Sequence, residues 1–300
     1  MVPTPLLVNL RSHLSQAGDT HLTAGSLLVS EFLGPPQLSA REDGPHLILT
    51  FSPAALNMPA GTYSVYDSLV NTVLVREEGN AVVVSIERDL SGPWEVKAEE
   101  GLLCRFTLYL VPRPLFPLFA GKIVLLDPWA RPRAFSPTRL PEGVPTRDIA
   151  GRLGRLLTGA GARPHLTKGG SLPALTPQAI RAGQPCDAVL GIATTYAPRH
   201  PRSGFAVRRR PGDAESLRLA RLIAQEIVRK LPLPLLAEDE TKDRLIRDLP
   251  APGAVVEVGC LSHRVDEGLL RDIDFKQKVA QTLFNALKHF FAGAAPRAIE

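Results

Sequence analysis

The hydrophobic pattern of this 300-residue chain changes its period at one Pro-rich segment, 111–121 (VPRPLFPLFAG). Before it, short apolar runs alternate with turn sequences such as GPP, EDGP and LSGP, a pattern typical of short β-strands. After it, buried-strand runs alternate with runs whose apolar residues recur every three or four positions, as in helices. Because the two patterns require different folds, we expect two domains, residues 1–118 and 119–300.

The first part contains a series of candidate strands from about Ser26 to Val111. Several short strands with regular turns favour a small all-β sandwich or barrel. Residues 1–20 show no strand pattern of this kind, and we expect them to form a loosely attached helix or tail.

The second part predicts an α/β fold with a mostly parallel sheet flanked by helices. Its candidate strands are KIVLLD, ARPHLT, DAVLGIA, GFAVR and AVVEVG. The first helix covers RDIAGRLGRLLTGAG, with its apolar residues on one face. Further helices are expected to begin at Thr176-Pro177, at a cap formed by Asp213 and at a cap formed by Asp274, and the last helix to end at Phe291.

Charge is distributed unevenly between the two parts. Residues 1–118 contain 7 Lys/Arg and 12 Asp/Glu, so the totals of 35 and 30 leave 28 and 18 for the rest, or −5 against +10. The basic part favours an anionic partner such as nucleic acid, an anionic polymer or cell-wall material, although general Arg abundance explains it equally well. No RNA-binding, zinc-finger or P-loop pattern supports nucleic acid.

Three widely spaced cysteines, Cys104, Cys186 and Cys260, indicate neither a disulfide framework nor a Cys-x-x-Cys metal site. We expect them to be small buried hydrophobic residues. No window approaches the ~18 apolar residues of a membrane span, and the N-terminus lacks a signal-peptide pattern. We therefore expect a cytoplasmic protein, or one in the cell envelope or outside the cell if a signal peptide was removed.

Two strand ends attract attention because α/β folds place ligands and catalytic groups there. The strand KIVLLD runs into Asp127-Pro128, but the next residues, WARP, offer no good ligand, base or nucleophile. The strand AVVEVG instead carries Glu257, a carboxylate in an otherwise apolar run. A buried carboxylate needs a partner, so Glu257 is either a functional group or half of a structural ion pair.

From Lys122 to about Phe291 the chain resembles the catalytic domain of zinc-dependent N-acetylmuramoyl-L-alanine amidases, cell-wall hydrolases that cut between muramic acid and the stem peptide. The resemblance covers more than half of the chain and rests on five segments in order. These are KIVLLDP for the family's strand ending in Asp-Pro-Gly-His-Gly-Gly, RDIAGRLGRLLTGAGARPHLTK for its first helix and a strand ending in Leu-Thr-Arg, CDAVLGIATT for Ser-Ile-His-Ala-Asn, GFAVRRR for a Gly-led strand, and VVEVGCLSH for Val-Glu-x-Gly-Phe-Leu-Ser-Asn.

The resemblance implies a zinc site, and the chain departs from the family at that site. In the family, zinc is held by the His of Asp-Pro-Gly-His, a Glu shortly before the first helix and the His of Ser-Ile-His, while the Glu of the last motif is the general base. The corresponding residues are Ala130, Thr146, Ala193 and Glu257. Because zinc hydrolysis needs about three protein ligands and one open position, we expect no bound metal. The former site becomes a pocket with Trp129 at its rim and Glu257 as the surviving catalytic residue.

An alternative is a relocated zinc site. His165, His200, Cys260 and His263 lie near the ends of the relevant strands, and Glu142 lies shortly before the lost Glu position. Zinc is a cofactor only under this alternative. The ordinary interpretation is that these are solvated or capping residues, since loops hold ligands less precisely than strand ends.

Without zinc beside it, Glu257 is expected to be protonated or to be held by a replacement cation. Four arginines are candidates for a bidentate pair: Arg131, Arg147, Arg199 and Arg202.

The first domain is similar to the AMIN-type β domain often found before such amidases, in its strand rhythm and its SGPWEV turn, although a generic β-sandwich is the alternative. The resemblance implies a cell-wall protein that binds peptidoglycan or a cell-wall protein partner without hydrolysing it, with no nucleic acid and no membrane span. The alternatives are an active amidase with relocated metal ligands, and a scaffold for another protein at the old cleft.

Overall fold

The structure is a computed structural model that describes residues 4–14, 26–65, 69–89, 91–111, 115–167, 186–241 and 244–296. The chain divides into two compact units, Met1–Pro117 and Leu118–Glu300, so Leu118 falls in the second unit rather than the first. The helix expected at Thr176-Pro177 lies outside the described residues. Within these ranges, no helix combines the length and apolar character needed to cross a membrane.

The first unit consists of two five-stranded sheets, with strand orders β5-β1-β2-β10-β9 and β3-β4-β8-β7-β6. The strands are β1 Leu6–Leu14, β2 Ser26–Leu33, β3 Gln37–Asp43, β4 His46–Ser52, β5 Ala55–Leu56, β6 Gly61–Ser64, β7 Val70–Glu78, β8 Ala81–Arg88, β9 Trp94–Glu99 and β10 Cys104–Leu110.

The two sheets face each other across an aromatic core, which confirms the expected β-sandwich. Phe32 and Phe106 come from one sheet and Phe51 from the other, and the ring of Phe51 lies 4.6 Å and 5.1 Å from the rings of Phe32 and Phe106. All three rings are buried. Interlocking side chains from two facing sheets are the usual core of such a unit.

The expectation of a loose helix or tail over residues 1–20 is wrong for part of this segment. Leu6–Leu14 forms β1, which pairs antiparallel with β2 and parallel with the short β5. Leu7 is fully buried between them. Pairing on both sides decides the conformation here, because the sequence LLVNLRSHL alternates too weakly to predict a strand alone.

The second unit contains one six-stranded sheet with the order β12-β11-β13-β16-β14-β15. Its elements are α1 Phe116–Phe119, β11 Ile123–Pro128, α2 Gly143–Gly159, β12 Arg163–Leu166, β13 Ala188–Thr195, β14 Phe205–Arg209, α3 Ala214–Lys230, β15 Leu235–Glu240, α4 Arg244–Asp248, β16 Gly253–Cys260, α5 Arg264–Arg271 and α6 Ile273–Phe291.

The sheet is mostly parallel, as predicted, and β11, β13 and β16 are neighbours in it. The strand β14 is the exception among the predicted strands, since it runs antiparallel to β16 and parallel to β15. Parallel strands need crossover helices on the sheet faces, which explains the alternation of elements along the chain.

Helices cover both faces of this sheet. A Cβ added to Gly154 of α2 would lie 3.2 Å from Leu166 and 3.9 Å from Leu126, while one added to Gly253 of β16 would lie 3.0 Å from Ile246 of α4. Val255, which shares the face of Gly253, packs in one cluster with Leu125 and Ile246. Because Leu125 and Leu126 point to opposite faces of β11, α2 and α4 cover opposite faces.

Two helix boundaries differ from the prediction. Asp213 caps α3 as expected, accepting a hydrogen bond from the Ser216 amide. The last helix is capped by Asp272 and not by Asp274, because α5 ends just before it and leaves Asp272 in an extended conformation. The helix α2 begins at Gly143, four residues before the predicted start, so Thr146 lies inside the helix.

Candidate functional site

The carboxyl ends of β11, β13 and β16 meet at one edge of the sheet. Pro128 is in register with Ile192, and Ala193 is in register with Glu257. The Trp129 amide continues the pairing with a 2.8 Å hydrogen bond to the Ile192 carbonyl. The expected convergence of Ala130, Ala193 and Glu257 at this edge is therefore confirmed.

Glu142 lies at the same edge, immediately before α2, and is completely buried. Its carboxylate accepts hydrogen bonds from the guanidinium of Arg131 at 2.7 Å and 2.8 Å and from the Arg131 amide at 2.9 Å. It also accepts hydrogen bonds from the amide and the hydroxyl of Thr194, each at 3.1 Å. Glu142 thus joins the ends of β11 and β13, one residue beyond Ala130 and Ala193 respectively.

The guanidinium of Arg131 keeps this carboxylate ionised. Burial alone raises the pKa of Glu142, but hydrogen bonds and charge from Arg131, with the amides of Arg131 and Thr194, outweigh burial and lower it. Hydrogen bonds donated to a carboxylate stabilise its charged form. The Arg131 guanidinium also donates to the Thr194 carbonyl, so a fixed cation occupies the space between the two strand ends.

Thr146 forms hydrogen bonds to backbone carbonyls at this edge. Its side chain is fully buried, and its hydroxyl lies 2.7 Å from the Trp129 carbonyl and 3.0 Å from the Glu142 carbonyl. The hydroxyl therefore links the first turn of α2 to the end of β11. Gly143 lies beside Ala130, since a Cβ added there would be 2.8 Å from the Ala130 Cβ.

The indole of Trp129 lies on the face of β13, over Gly191, and packs against the buried cluster that contains Ala193. Its Nε1 is buried without a hydrogen-bond partner in the described part of the chain. The Arg131 guanidinium lies 5.9 Å from the centre of the indole, within range of a cation–π contact. Trp129 therefore fills space beside Gly191 and Ala193 of β13.

Glu257 is held by an arginine, but not by one of the four candidates. Its carboxylate lies 3.3 Å from Arg208 of β14, whose guanidinium also contacts Asp239 of β15 at 2.5 Å. Burial lowers the pKa of Arg208, but Glu257 and then Asp239 outweigh it, and the pKa is raised. Arg131, a predicted partner, binds Glu142 instead.

The position of Arg208 in its strand is the sequence feature that places it near Glu257. In GFAVRRR, Arg208 is two residues from Ala206, which is opposite Glu257 in the antiparallel pair β14–β16. Side chains two residues apart on a strand share a face, so Arg208 reaches Glu257 diagonally. The contact depends on the antiparallel direction of β14, which the local sequence does not specify.

The residues considered as relocated zinc ligands do not lie together. His165 and His200 are exposed, Cys260 is buried, and His263 lies 3.2 Å from Asp266. Across the described ranges, no three His, Cys, Asp or Glu side chains lie together in a way that could hold a metal ion.

Comparison with known proteins identifies the family. A family model described as N-acetylmuramoyl-L-alanine amidase matches residues 134–289, just over half of the chain. The chain belongs to the N-acetylmuramoyl-L-alanine amidase family. The match begins at residue 134, after the end of β11 at Pro128. No curated protein matches the chain significantly.

Solved amidase structures share the fold of the second unit. The amidase AmiC2 of Nostoc punctiforme is 18% identical, with a TM-score of 0.51 over 56% of this chain and 96% of that one. The amidase Ami1 from Mycobacterium smegmatis is 19% identical, with a TM-score of 0.50 over 58% and 99%. The CwlD amidase from Clostridioides difficile, solved in complex with the GerS lipoprotein, is 17% identical, with a TM-score of 0.51 over 58% and 100%.

The residues at this edge do not fit the zinc ion that the resemblance to amidases implies. Ala130 and Ala193 have no donor atoms, and Thr146 is bonded to backbone carbonyls. The carboxylates of Glu142 and Glu257 are paired with Arg131 and Arg208 respectively. A catalytic zinc site needs about three protein ligands, and two carboxylates already bound to guanidinium groups do not supply them.

Proposed function

We propose that this amidase-family chain is a non-catalytic cell-envelope protein that binds peptidoglycan. The observation that supports it best is the ion pair of Arg131 with the buried Glu142, between the ends of β11 and β13. The family fold supports the cell-wall association, and the side chains at the strand ends support the loss of hydrolysis.

We propose further that Glu142, rather than Thr146, occupies the family's glutamate position. Glu142 lies immediately before α2, as the family's ligand lies shortly before its first helix, and its carboxylate reaches both strand ends. Thr146 belongs to the first turn of the helix instead. On this assignment one of the three ligands survives, and Arg131 replaces the metal as its positive neighbour.

A guanidinium differs from zinc in the chemistry it supports. Zinc polarises a carbonyl and lowers the pKa of a bound water to about 7, which provides the nucleophile for amide hydrolysis. Arg131 donates hydrogen bonds but binds no hydroxide, and its donors are already directed at Glu142 and Thr194. An edge of this kind therefore offers no metal-bound water to attack an amide.

The test combines binding and hydrolysis with the same protein. Purified chain is mixed with peptidoglycan sacculi, and pelleted protein is measured together with newly released amino termini of L-alanine and with zinc per chain. We expect the protein to pellet with sacculi and to release no stem peptides. Zinc-dependent release overturns the proposal in favour of an active amidase with relocated ligands.

Failure to pellet with sacculi favours the remaining possibility, a scaffold that binds another protein. The complex of the CwlD amidase with the GerS lipoprotein makes this a specific alternative. It predicts that a folded protein, checked by circular dichroism, does not bind sacculi from which all proteins have been removed.

A further inference from the structure

The loops at the carboxyl edge of the sheet expose positive charge only. The loops are residues 129–142 after β11, 196–204 after β13 and 261–263 after β16, to which we add the first residues of α5, 264–266, and all of these residues are described. Five of their arginines are exposed and make no side-chain hydrogen bond or ion pair with the described residues. We define these as the basic face: Arg133, Arg139, Arg199, Arg202 and Arg264.

The acidic side chains of the same region all point inward. Glu142 is 1% exposed and Asp266 is 0% exposed, and the neighbouring Glu267 of α5 is 4% exposed. No acidic side chain therefore neutralises the basic face within these loops. The charge of the face is a local arrangement and not simply a consequence of the composition.

The buried acids Asp266 and Glu267 hold the loops together. Glu267 accepts hydrogen bonds from the hydroxyls of Ser136 and Thr138, in the first loop. Asp266 accepts hydrogen bonds from the Ser203 hydroxyl at 2.6 Å and the Gly204 amide at 3.1 Å, in the second. Two adjacent residues of α5 thus fix the loops that carry the arginines.

The ionisation of Glu267 supports this arrangement. Burial raises its pKa, but hydrogen bonds from Ser136 and Thr138, and the nearby Arg271, lower it overall. The carboxylate therefore stays charged and bonded, and the loop from Arg133 to Arg139 has a fixed position on α5.

Arg133 and Arg139 have an unusual backbone conformation. Their φ angles are 65° and 67°, and no other non-glycine residue among those described has a positive φ. Glycine or asparagine is favoured in this conformation, because a Cβ crowds the backbone. Since these two arginines make no side-chain hydrogen bond or ion pair with the described residues, no such bond explains why arginine is found there.

We propose that the basic face binds an anionic cell-wall polymer whose repeating units carry phosphodiester groups. A single anionic group engages one or two guanidinium groups, so four arginines on two loops and a fifth at the start of α5 fit a chain of repeated charges. All five are arginines, whose planar fork binds phosphate oxygens in pairs. This inference rests on the proposed function for its location at the cell wall, and its test separates the two.

The alternative polyanion is a nucleic acid. Sequence-tolerant binding of single strands uses a series of aromatic side chains on which successive bases stack. The described loops expose only two, Phe135 at 46% and Tyr196 at 37%, on different loops. The face therefore offers charge contacts more than base contacts.

The test uses the double variant Arg133→Gly and Arg139→Gly in the full chain. Glycine suits both backbone conformations, so the melting temperature is expected to stay the same or rise. Affinity for soluble poly(glycerol phosphate) is expected to fall at least tenfold. The control variant, Arg155→Gln with Arg163→Gln, removes two exposed arginines outside these loops and is expected to change affinity less than twofold.

Equal affinity of the variant and the unmodified chain for poly(glycerol phosphate) overturns the inference. The inference is also overturned if the unmodified chain binds single-stranded DNA with the same number of phosphates more strongly than it binds poly(glycerol phosphate). Sacculi with and without their phosphodiester polymers separate this result from the proposed function. Equal binding of the unmodified chain to both kinds of sacculi overturns the inference and leaves peptidoglycan binding in place. Binding to the soluble polymer but to neither kind of sacculi overturns the proposed function instead.

Discussion

Glu142 illustrates how a buried carboxylate depends on the cation beside it, here Arg131. Its side chain is completely buried, while that of Arg131 is 36% exposed. Removing the charge of Glu142 leaves Arg131 without its ion pair but still in contact with water. Breaking a fully buried pair costs about 3–5 kcal/mol, and the exposure of Arg131 reduces this cost.

The first prediction concerns Glu142→Gln. We expect the variant to lose about 2 kcal/mol of unfolding free energy at pH 7. Because the folded-state pKa of Glu142 lies below its ordinary value of 4.5, its contribution is present at neutral pH and is lost as the pH falls through that folded-state value. Urea unfolding should show a difference that shrinks below pH 4.5.

The control for this variant is Glu215→Gln. Glu215 forms an exposed i,i+3 pair with Arg218 on α3, and such surface pairs contribute about 0–1 kcal/mol. The unfolding free energy of Glu215→Gln should be close to that of the unmodified chain at pH 7 and below pH 4.5. A pH-independent loss in Glu142→Gln would instead point to altered packing, because an uncharged contribution does not titrate.

The second prediction concerns Glu257→Gln. Arg208 keeps its contact with Asp239 in this variant, so we expect a loss of only about 1 kcal/mol in unfolding free energy. Binding to sacculi should be unchanged, since Glu257 is paired within the protein. An unchanged melting temperature together with loss of binding to sacculi would show that Glu257 contacts the ligand. Asp239→Asn is the matched control on the other side of Arg208.

At the scale of elements, the end of β11 and the start of α2 form one structural unit. In the correspondence that we propose with the family motif Asp-Pro-Gly-His-Gly-Gly, Arg131 stands at the glycine after the histidine. The Cβ of Ala130 points at Gly143, the first residue of α2. The glycine at the start of the helix therefore leaves room for the Ala130 methyl group.

The third prediction is that Ala130→His, Arg131→Gly and Ala193→His together recover one zinc ion per chain. With the guanidinium removed, Glu142 becomes available as the third ligand, which gives the number that zinc needs. Zinc content is measured by elemental analysis after dialysis against a weak chelator.

The comparison variant is Ala130→His, Thr146→Glu and Ala193→His with Arg131 retained. We expect it to bind no zinc, because Glu142 stays paired and Thr146 lies inside the helix. The reverse result, zinc in the second variant only, would assign the family's glutamate position to Thr146.

At the scale of the whole molecule, the two units carry opposite charge. The totals of −5 for residues 1–118 and +10 for the remainder mean that electrostatic attraction to an anionic wall comes from the second unit. The AMIN-like interpretation of the first unit makes the opposite assignment, with wall binding in the β-sandwich.

The fourth prediction separates these assignments. A chain of residues 118–300 should bind sacculi with at least half the affinity of the full chain, and its binding should weaken with salt, as charge contacts do. A chain of residues 1–117 should not pellet with sacculi. Circular dichroism and a cooperative melt check that each piece is folded. Binding by residues 1–117 alone would support the AMIN-like interpretation.

The sequence was sufficient for the order and type of most elements. The change of period at 111–121 separated the β-rich part from the α/β part, because side-chain periods of two and of 3.6 are local properties. Asp213 was correctly predicted as a cap, since a cap depends on residues within three positions. The strand β1 was missed, because its pairing with β2 and β5 is not local.

The sequence by itself determined that alanines, Ala130 and Ala193, stand at the ends of two strands and that Glu257 lies in a third, because those facts depend only on which residues form or follow which strands. Only the tertiary structure decided which charges meet. Arg131 pairs with Glu142 because the loop after β11 returns to the start of α2, and Arg208 pairs with Glu257 because β14 runs antiparallel to β16. Ion pairs between distant residues depend on strand direction and register, and neither is encoded in local spacing.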